Sequence, residues 1–223
     1  MFQVRIHGRG GQGVVTGAEM LSIAAFLGGR HAQAFPSFGS ERTGAPVVAF
    51  CRMDDKEIRL REPIMQPDAI IIQDPTLLHQ VDVFGGLKKD GYILINTTRS
   101  FAELGLGDFV KSFRPEHLLT VPASELAMKH VGRPVPNVPL LGAFAALGGL
   151  ISLDAVRAAI RQKFSGAVAQ GNEDAAREAY DIVMEQEKKA QAAAAQGRPK
   201  QGADPSGGSA VRAATNVGAN QDA

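Results

Sequence analysis

Hydrophobic positions come in short runs whose period changes along the chain. Phe2-Gln3-Val4-Arg5-Ile6 alternates apolar and polar residues, as a strand with one buried face does. From Val14 to Leu27 the interval lengthens: Val14, Ala18, Leu21 and Ala25 share one helical face, with Val15 and Ala24 on its flank, which predicts an amphipathic helix. Ala45-Pro46-Val47-Val48-Ala49-Phe50 and Glu57-Ile58-Arg59-Leu60 predict two strands around a turn at Met53-Asp54-Asp55-Lys56, a hairpin that interrupts an otherwise parallel pattern. Asp68-Ala69-Ile70-Ile71-Ile72-Gln73-Asp74 is apolar on both faces, as a central strand of a helix-covered parallel sheet should be. A short helix around Thr76 to Leu87 and the buried strand Tyr92-Ile93-Leu94-Ile95-Asn96 complete a βαβ unit.

Leu118-Leu119-Thr120-Val121-Pro122 predicts one more strand, Ala123 to His130 a helix, and Val138 to Leu150 a helix of small residues suited to close packing. Ser152 can cap a helix start, with Val156, Ile160 and Phe164 following at four-residue steps. A last helix is expected from about Asn172 into the Ala-rich stretch Ala190 to Ala195. The pattern is that of an α/β protein: a doubly wound, mostly parallel sheet with a hairpin insertion and C-terminal helices. The domain is expected to span residues 1–186, leaving 187–223 as an Ala- and Gly-rich tail. Past Met184 there is no Leu, Ile or Phe, so the tail is expected to be disordered alone or wrapped on a partner.

Composition narrows the class. The 223 residues are 44% hydrophobic with a formal net charge of +1, enough for one sizeable core and no electrostatic case for nucleic acid. No charged and apolar leader precedes the first strand, and no apolar run reaches membrane-spanning length, so a soluble cytoplasmic protein is expected. The single cysteine, Cys51, excludes an internal disulfide framework and any cluster or zinc site built from this chain's own thiols.

The chemistry begins where the first strand runs into Gly8-Arg9-Gly10-Gly11-Gln12-Gly13. Gly8, Gly10 and Gly13 satisfy G-x-G-x-x-G between a strand and a helix, a phosphate-cradling arrangement in which free N–H groups at the helix start attract an anion. The plainer alternative is a close strand–helix crossing that needs glycine for packing alone. A dinucleotide reader places an acid about 20 residues on, for a ribose hydroxyl. Here the region is Arg30-His31-Ala32-Gln33-Ala34-Phe35, with no acid, which argues against ordinary NAD binding.

Loops at the carboxyl ends of strands are where open α/β sheets bind ligands. Ser37, Ser40, Arg42 and Thr43, in the loop after Ala34-Phe35-Pro36, are therefore candidate anion contacts, against a solvated surface turn. Arg99, following Ile95-Asn96-Thr97-Thr98, is another, against an exposed loop arginine. Asn137 ends the proline-stiffened loop Gly132-Arg133-Pro134-Val135-Pro136, as a ligand contact or only a helix cap. His7, His31, His79, His117 and His130 show no metal spacing, and no serine sits in G-x-S-x-G. His7 precedes the glycine turn and reads first as a hydrogen-bonded structural histidine. No self-sufficient catalytic constellation emerges.

Several long stretches in fixed order resemble one family. They are Gly8 to Thr16, Ala32-Gln33-Ala34-Phe35-Pro36-Ser37-Phe38-Gly39-Ser40-Glu41-Arg42-Thr43-Gly44-Ala45-Pro46, Pro67-Asp68 before Ile70-Ile72, Asp74-Pro75-Thr76-Leu77-Leu78, Val121-Pro122-Ala123 and Gly132 to Asn137. Over roughly residues 1–185 they closely resemble the gamma subunit of 2-oxoacid:acceptor (pyruvate:ferredoxin-type) oxidoreductases.

The resemblance implies a Rossmann-like domain that is not catalytic alone. It would serve a multisubunit enzyme that oxidatively decarboxylates a 2-oxoacid to an acyl-CoA. Thiamine diphosphate, Mg2+ and [4Fe–4S] clusters would lie on other subunits; this chain would bind at most coenzyme A. Its partners would be alpha, beta and ferredoxin-like delta subunits, with ferredoxin or an NAD-linked flavoprotein as electron acceptor. On this view the coenzyme A contacts are drawn from Gly8, Arg9, Gly10, Gly11, Gln12, Gly13, Ser37, Ser40, Arg42, Thr43, Arg99 and Asn137. Two alternatives stand beside it: an assembly platform whose glycine turn is a fold relic, and a free-standing nucleotide- or acyl-CoA-binding regulatory domain. The 2-oxoacid itself (pyruvate, 2-oxoglutarate, branched-chain, indolepyruvate or phenylglyoxylate) is not encoded in this chain's motifs.

Overall fold

Residues 1–37, 43–147 and 149–196 are described by the computed structural model, with side chains through Lys189. Strand β1 (Phe2–Arg9) leads into helix α1 (Val14–Leu27), then β2 (His31–Pro36), β3 (Pro46–Asp54), β4 (Ala69–Ile72), β5 (Tyr92–Asn96) and β6 (Leu118–Val121). Helices α2 (Ala123–Val131), α3 (Asn137–Ala146), α4 (Leu153–Lys163) and α5 (Gly166–Gln196) follow. The strands form one mixed sheet in the order β2-β3-β1-β4-β5-β6. β1, β4, β5 and β6 run parallel, and β3 pairs antiparallel with both β1 and β2. This is the expected α/β architecture.

Two elements differ in kind from the sequence reading, and the small-residue helix expected to reach Leu150 ends at Ala146. The hairpin is β2 with β3, in register His31↔Asp54 through Pro36↔Ala49, and residues 57–60 form no strand. β3 runs on through Met53 because its helix-side positions Ala49, Cys51 and Met53 are all fully buried. Its one charged interior residue, Arg52, is also buried, donating to Gln3 Oε1 at 3.2 Å and to the Glu62 carbonyl at 2.5 Å. The stretch from Thr76 to Leu87 is not an α-helix: only Pro75–His79 is helical, as a short 310 turn. Gly86 takes a left-handed φ of 74°, which breaks a helix there, and Arg5 of β1 holds the stretch from a distance, donating to the Val83 carbonyl at 3.0 Å and the Gly85 carbonyl at 2.6 Å.

Each side of the sheet has its own core. Val4, Ile6, Ala49, Cys51, Met53, Ala69, Ile71 and Leu94 face the helices, and Ile70, Ile72, Ile93 and Ile95 face a layer of 310 turns and coil. β4 thus alternates between two buried faces, and each of its isoleucines contributes about 1.5–3 kcal/mol of burial. Ser152 caps α4 as expected, its Oγ accepting from Ala155 N at 3.1 Å. α5 starts earlier than the sequence reading placed it and continues past residue 186 to Gln196. Residues 197–223, most of the expected tail, lie outside the described residues.

Cys51 is fully buried, and burial pushes its thiol far above the ordinary range. The native chain should therefore resist a thiol-specific dye at pH 8 and react stoichiometrically only in denaturant; fast reaction of the folded protein would contradict this burial.

Candidate functional site

The site is built where β1 ends. Gly8 still belongs to the strand, and a Cβ there would stand 2.6 Å from Val14 Cγ2, so the first glycine sets how closely α1 crosses the sheet. Gly13 is the residue that caps α1: its φ is 71°, in the left-handed region, and it offers no side chain to the helix's first N–H groups. Asn137, at the start of α3, donates from Nδ2 to the Gly13 carbonyl at 3.2 Å while its Oδ1 accepts from Val138 N at 2.9 Å. A Cβ on Gly13 would overlap Asn137 Nδ2, so conformation and close approach both demand glycine there. Asn137 therefore ties the glycine turn to α3, a role between the two that its sequence position suggested.

The uncapped start of α1 opens into a cleft of about 560 Å³, walled by the ends of α2, α3 and α4 and the start of α5. Its lining includes the polar Thr16, Arg133, Asn137 and Asn172, with Gly11 and Gly13, and the apolar Ala127, Val131, Val135, Phe164 and Val168. Arg133 is the one charged residue among these, and among the described residues no carboxylate lines the cleft. Such a lining suits an anionic group attached to a less polar body.

The other sequence-derived candidates are placed as follows. Gly10 is stitched to the next loop, its N–H donating to the Ala45 carbonyl at 3.0 Å and its carbonyl accepting from Gly44 N at 3.1 Å, beside a bridge to Thr43. Gln12 and Arg9 turn away from the cleft toward Asp74, at 2.9 Å and 3.0 Å. Ser37 is exposed, its N–H donating to the Val48 carbonyl at 2.8 Å. Arg99 is exposed in the loop after β5, bonded to the Glu103 carbonyl, and does not line the cleft. Ser40 and Arg42 lie outside the described residues.

Burial of Asp74, which alone would raise its pKa, is outweighed by hydrogen bonds from Thr76 and Gln12 and by the Arg9 charge, so its carboxyl sits below the usual range. His7 is buried beneath the turn, accepting at Nε2 from Arg5 Nε at 3.0 Å. Burial and the neighbouring Arg5 charge push its pKa down to about 3, so it stays neutral at physiological pH.

Thr16, Arg133 and Asn172 were not singled out from sequence. Arg133 was visible in the proline-stiffened loop, but nothing linear signals that this loop faces residue 13. Asn172 was read as a helix start, whereas α5 begins at Gly166 and carries it inside the cleft wall. Among the described residues no group of His, Cys, Asp and Glu could hold a metal ion, and no helix is long and apolar enough to cross a membrane.

Comparison with known proteins identifies the family and the fold. A family model described as pyruvate ferredoxin/flavodoxin oxidoreductase matches residues 3–182. The chain is 46% identical over 181 residues to the pyruvate/ketoisovalerate oxidoreductases common subunit gamma of Pyrococcus furiosus, covering 81% of this chain and 96% of that protein. It is 45% identical over 184 residues to pyruvate synthase subunit PorC of Methanocaldococcus jannaschii, covering 82% and 98%. The crystal structure of pyruvate oxidoreductase subunit PORC from Thermotoga maritima superposes with a TM-score of 0.68 at 34% identity, over 81% of this chain and 95% of that one. The chain belongs to the pyruvate ferredoxin/flavodoxin oxidoreductase family, as a gamma subunit of a pyruvate- or 2-oxoacid-oxidising complex.

Proposed function

We propose that this gamma subunit grips coenzyme A for a complex that converts a 2-oxoacid to an acyl-CoA in the cytoplasm. The observation that carries the reading is the cleft: an uncapped helix start, Arg133 and several apolar side chains in its lining, and no carboxylate there among the described residues. A phosphate of coenzyme A would sit on the N–H groups at the start of α1, and the less polar part of the molecule against Val131, Phe164 and Val168. Arg42, Thr43 and Ser40 would contribute from the neighbouring loop. Thiamine diphosphate, Mg2+ and [4Fe–4S] clusters would be held by alpha, beta and ferredoxin-like delta subunits, handing electrons to ferredoxin or an NAD-linked flavoprotein. The lone buried Cys51 supports that division, since a cluster needs several thiolates. The Pyrococcus relative is named as common to pyruvate and ketoisovalerate oxidoreductases, which favours a choice of 2-oxoacid made on other chains.

The test is to purify the native complex anoxically through a tag on this chain and assay it with a panel of 2-oxoacids, coenzyme A and a viologen dye. Arg133→Ala should raise KM for coenzyme A about tenfold, the loss of one charge-assisted contact, while 2-oxoacid decarboxylation persists. Arg42→Ala should move in the same direction. Equal loss of both activities, or coenzyme A kinetics indifferent to both substitutions, would leave the chain as an assembly platform. A lone chain that binds a nucleotide by itself would favour a regulatory domain.

A further inference from the structure

We infer that Arg9 and Asp74 are positioning residues that hold the glycine turn and the adjoining segment 43–45 in one fixed arrangement, so that neither contacts the bound anion. The inference takes what is bound from the coenzyme A reading above, and takes what does the holding from hydrogen-bond geometry alone.

Asp74 follows β4 and caps the 310 turn, its Oδ1 accepting from Thr76 N at 3.0 Å and Thr76 Oγ1 at 2.6 Å. Its other oxygen accepts from Arg9 Nε at 3.0 Å and Gln12 Nε2 at 2.9 Å. Gln12 Oε1 closes the ring by accepting from Arg9 N at 2.8 Å. One carboxylate thus fixes both ends of the Arg9–Gln12 stretch to the end of a neighbouring strand. The Arg9 guanidinium links this 310 turn to segment 43–45. Nη1 donates to the Gly44 carbonyl at 3.0 Å, and Nη2 to Thr76 Oγ1 at 2.7 Å and Gln80 Oε1 at 2.8 Å.

Counting Asp74, four of the five guanidinium N–H donors are engaged by the protein, which leaves Arg9 little to offer a phosphate. Packing does not do this work instead. Gly11 and Gly44 adopt φ of 96° and 83°, and a Cβ on either would meet nothing within 4 Å. The turn and segment 43–45 meet only through the Gly10 backbone bonds and Arg9 among the described contacts, so removing the Asp74 anchor should loosen both together. The planar fork of arginine matters here, because a lysine ammonium cannot span Asp74, Gly44 and Gln80 at once.

The experiment uses the purified complex carrying Asp74→Ala, Arg9→Gln or Arg9→Lys. Hydrogen exchange at the Gly10 and Gly44 amides should speed up about tenfold or more, with the β1 amides of Val4 and Ile6 unchanged. KM for coenzyme A should rise about tenfold while kcat at saturating coenzyme A and KM for the 2-oxoacid change less than about twofold. Arg9→Lys should fail to rescue. Unchanged exchange overturns the inference whatever coenzyme A does. Faster exchange with an unchanged KM, in a complex where Arg133→Ala does raise it, overturns the functional half. If Arg133→Ala leaves KM flat as well, the coenzyme A reading fails, and exchange alone then decides whether Arg9 and Asp74 hold the turn.

Discussion

Gly142→Ala should cost about 3 kcal/mol or more, a large share of a stability of about 5–15 kcal/mol. Gly142 lies in the middle of α3, where a Cβ would overlap the carbonyl oxygen, carbonyl carbon and Cα of Ala176 in α5. These are backbone atoms, so no side-chain rotation relieves the clash and the two helices must separate. The interface depends on their closeness: Ala143, Ala145 and Ala146 of α3 and Ala175, Ala176 and Ala179 of α5 are all buried. Every residue of α3 is buried, so separation also opens its contacts with α2 and α4. Thermal unfolding should show a Tm lower by on the order of 10 °C. Gly107→Ala is the control, since its Cβ would meet only ordinary contacts at 3.6 and 3.8 Å and should shift Tm little. An unchanged Tm for Gly142→Ala would mean that α3 and α5 do not approach as described.

Glu173→Gln should be the second large effect, about 2 kcal/mol, and it should depend on pH. Glu173, on α5, is 5% exposed and holds α4: it accepts from Arg157 Nε at 2.9 Å and from Arg161 Nε and Nη2 at 2.6 Å each. Burial alone would raise its pKa, but the arginine hydrogen bonds and charges outweigh burial and hold the carboxyl below 4.5. A depressed folded pKa stabilises the fold at pH above the unfolded value, and that stability is lost as pH falls through the folded pKa. The penalty of Glu173→Gln should therefore be full at pH 7 and shrink below about pH 4.5. Because both arginines are partly solvated, the figure lies below that for breaking a wholly buried pair. Denaturant titrations of both proteins at pH 7 and pH 4 measure it; a penalty equal at both would show that the ion pair contributes nothing beyond shape.

Much of the fold was legible because its signals are local. The helical spacing of Val14 to Leu27, the apolar run Ile70-Ile71-Ile72 and the Ser152 cap each announce an element within a few residues. The family was legible for a related reason, since its motifs are continuous in the chain. The two misplaced elements turn on arginines whose partners are far away. Arg52 lies past the strand expected to end at Phe50, yet Gln3 and Glu62 let it be buried inside β3. Arg5 sits at a polar position of the alternating β1, yet it is buried and holds the carbonyls of Val83 and Gly85 in the loop expected to be a helix.

The site divides the same way. Sequence marked the glycine turn and Asn137, and it ranked Arg9 with them as a ligand contact. The folded chain sends Arg9 to Asp74, Gly44, Thr76 and Gln80 and brings Arg133 and Asn172 to the cleft instead. By itself the sequence determined the order of elements, the glycine turn between strand and helix, and the family, because each depends on spacing along the chain. The tertiary structure decided which charges face the cleft and which hold the scaffold. That choice depends on which distant groups complete a buried side chain's hydrogen bonds, and such partners have no fixed spacing to read.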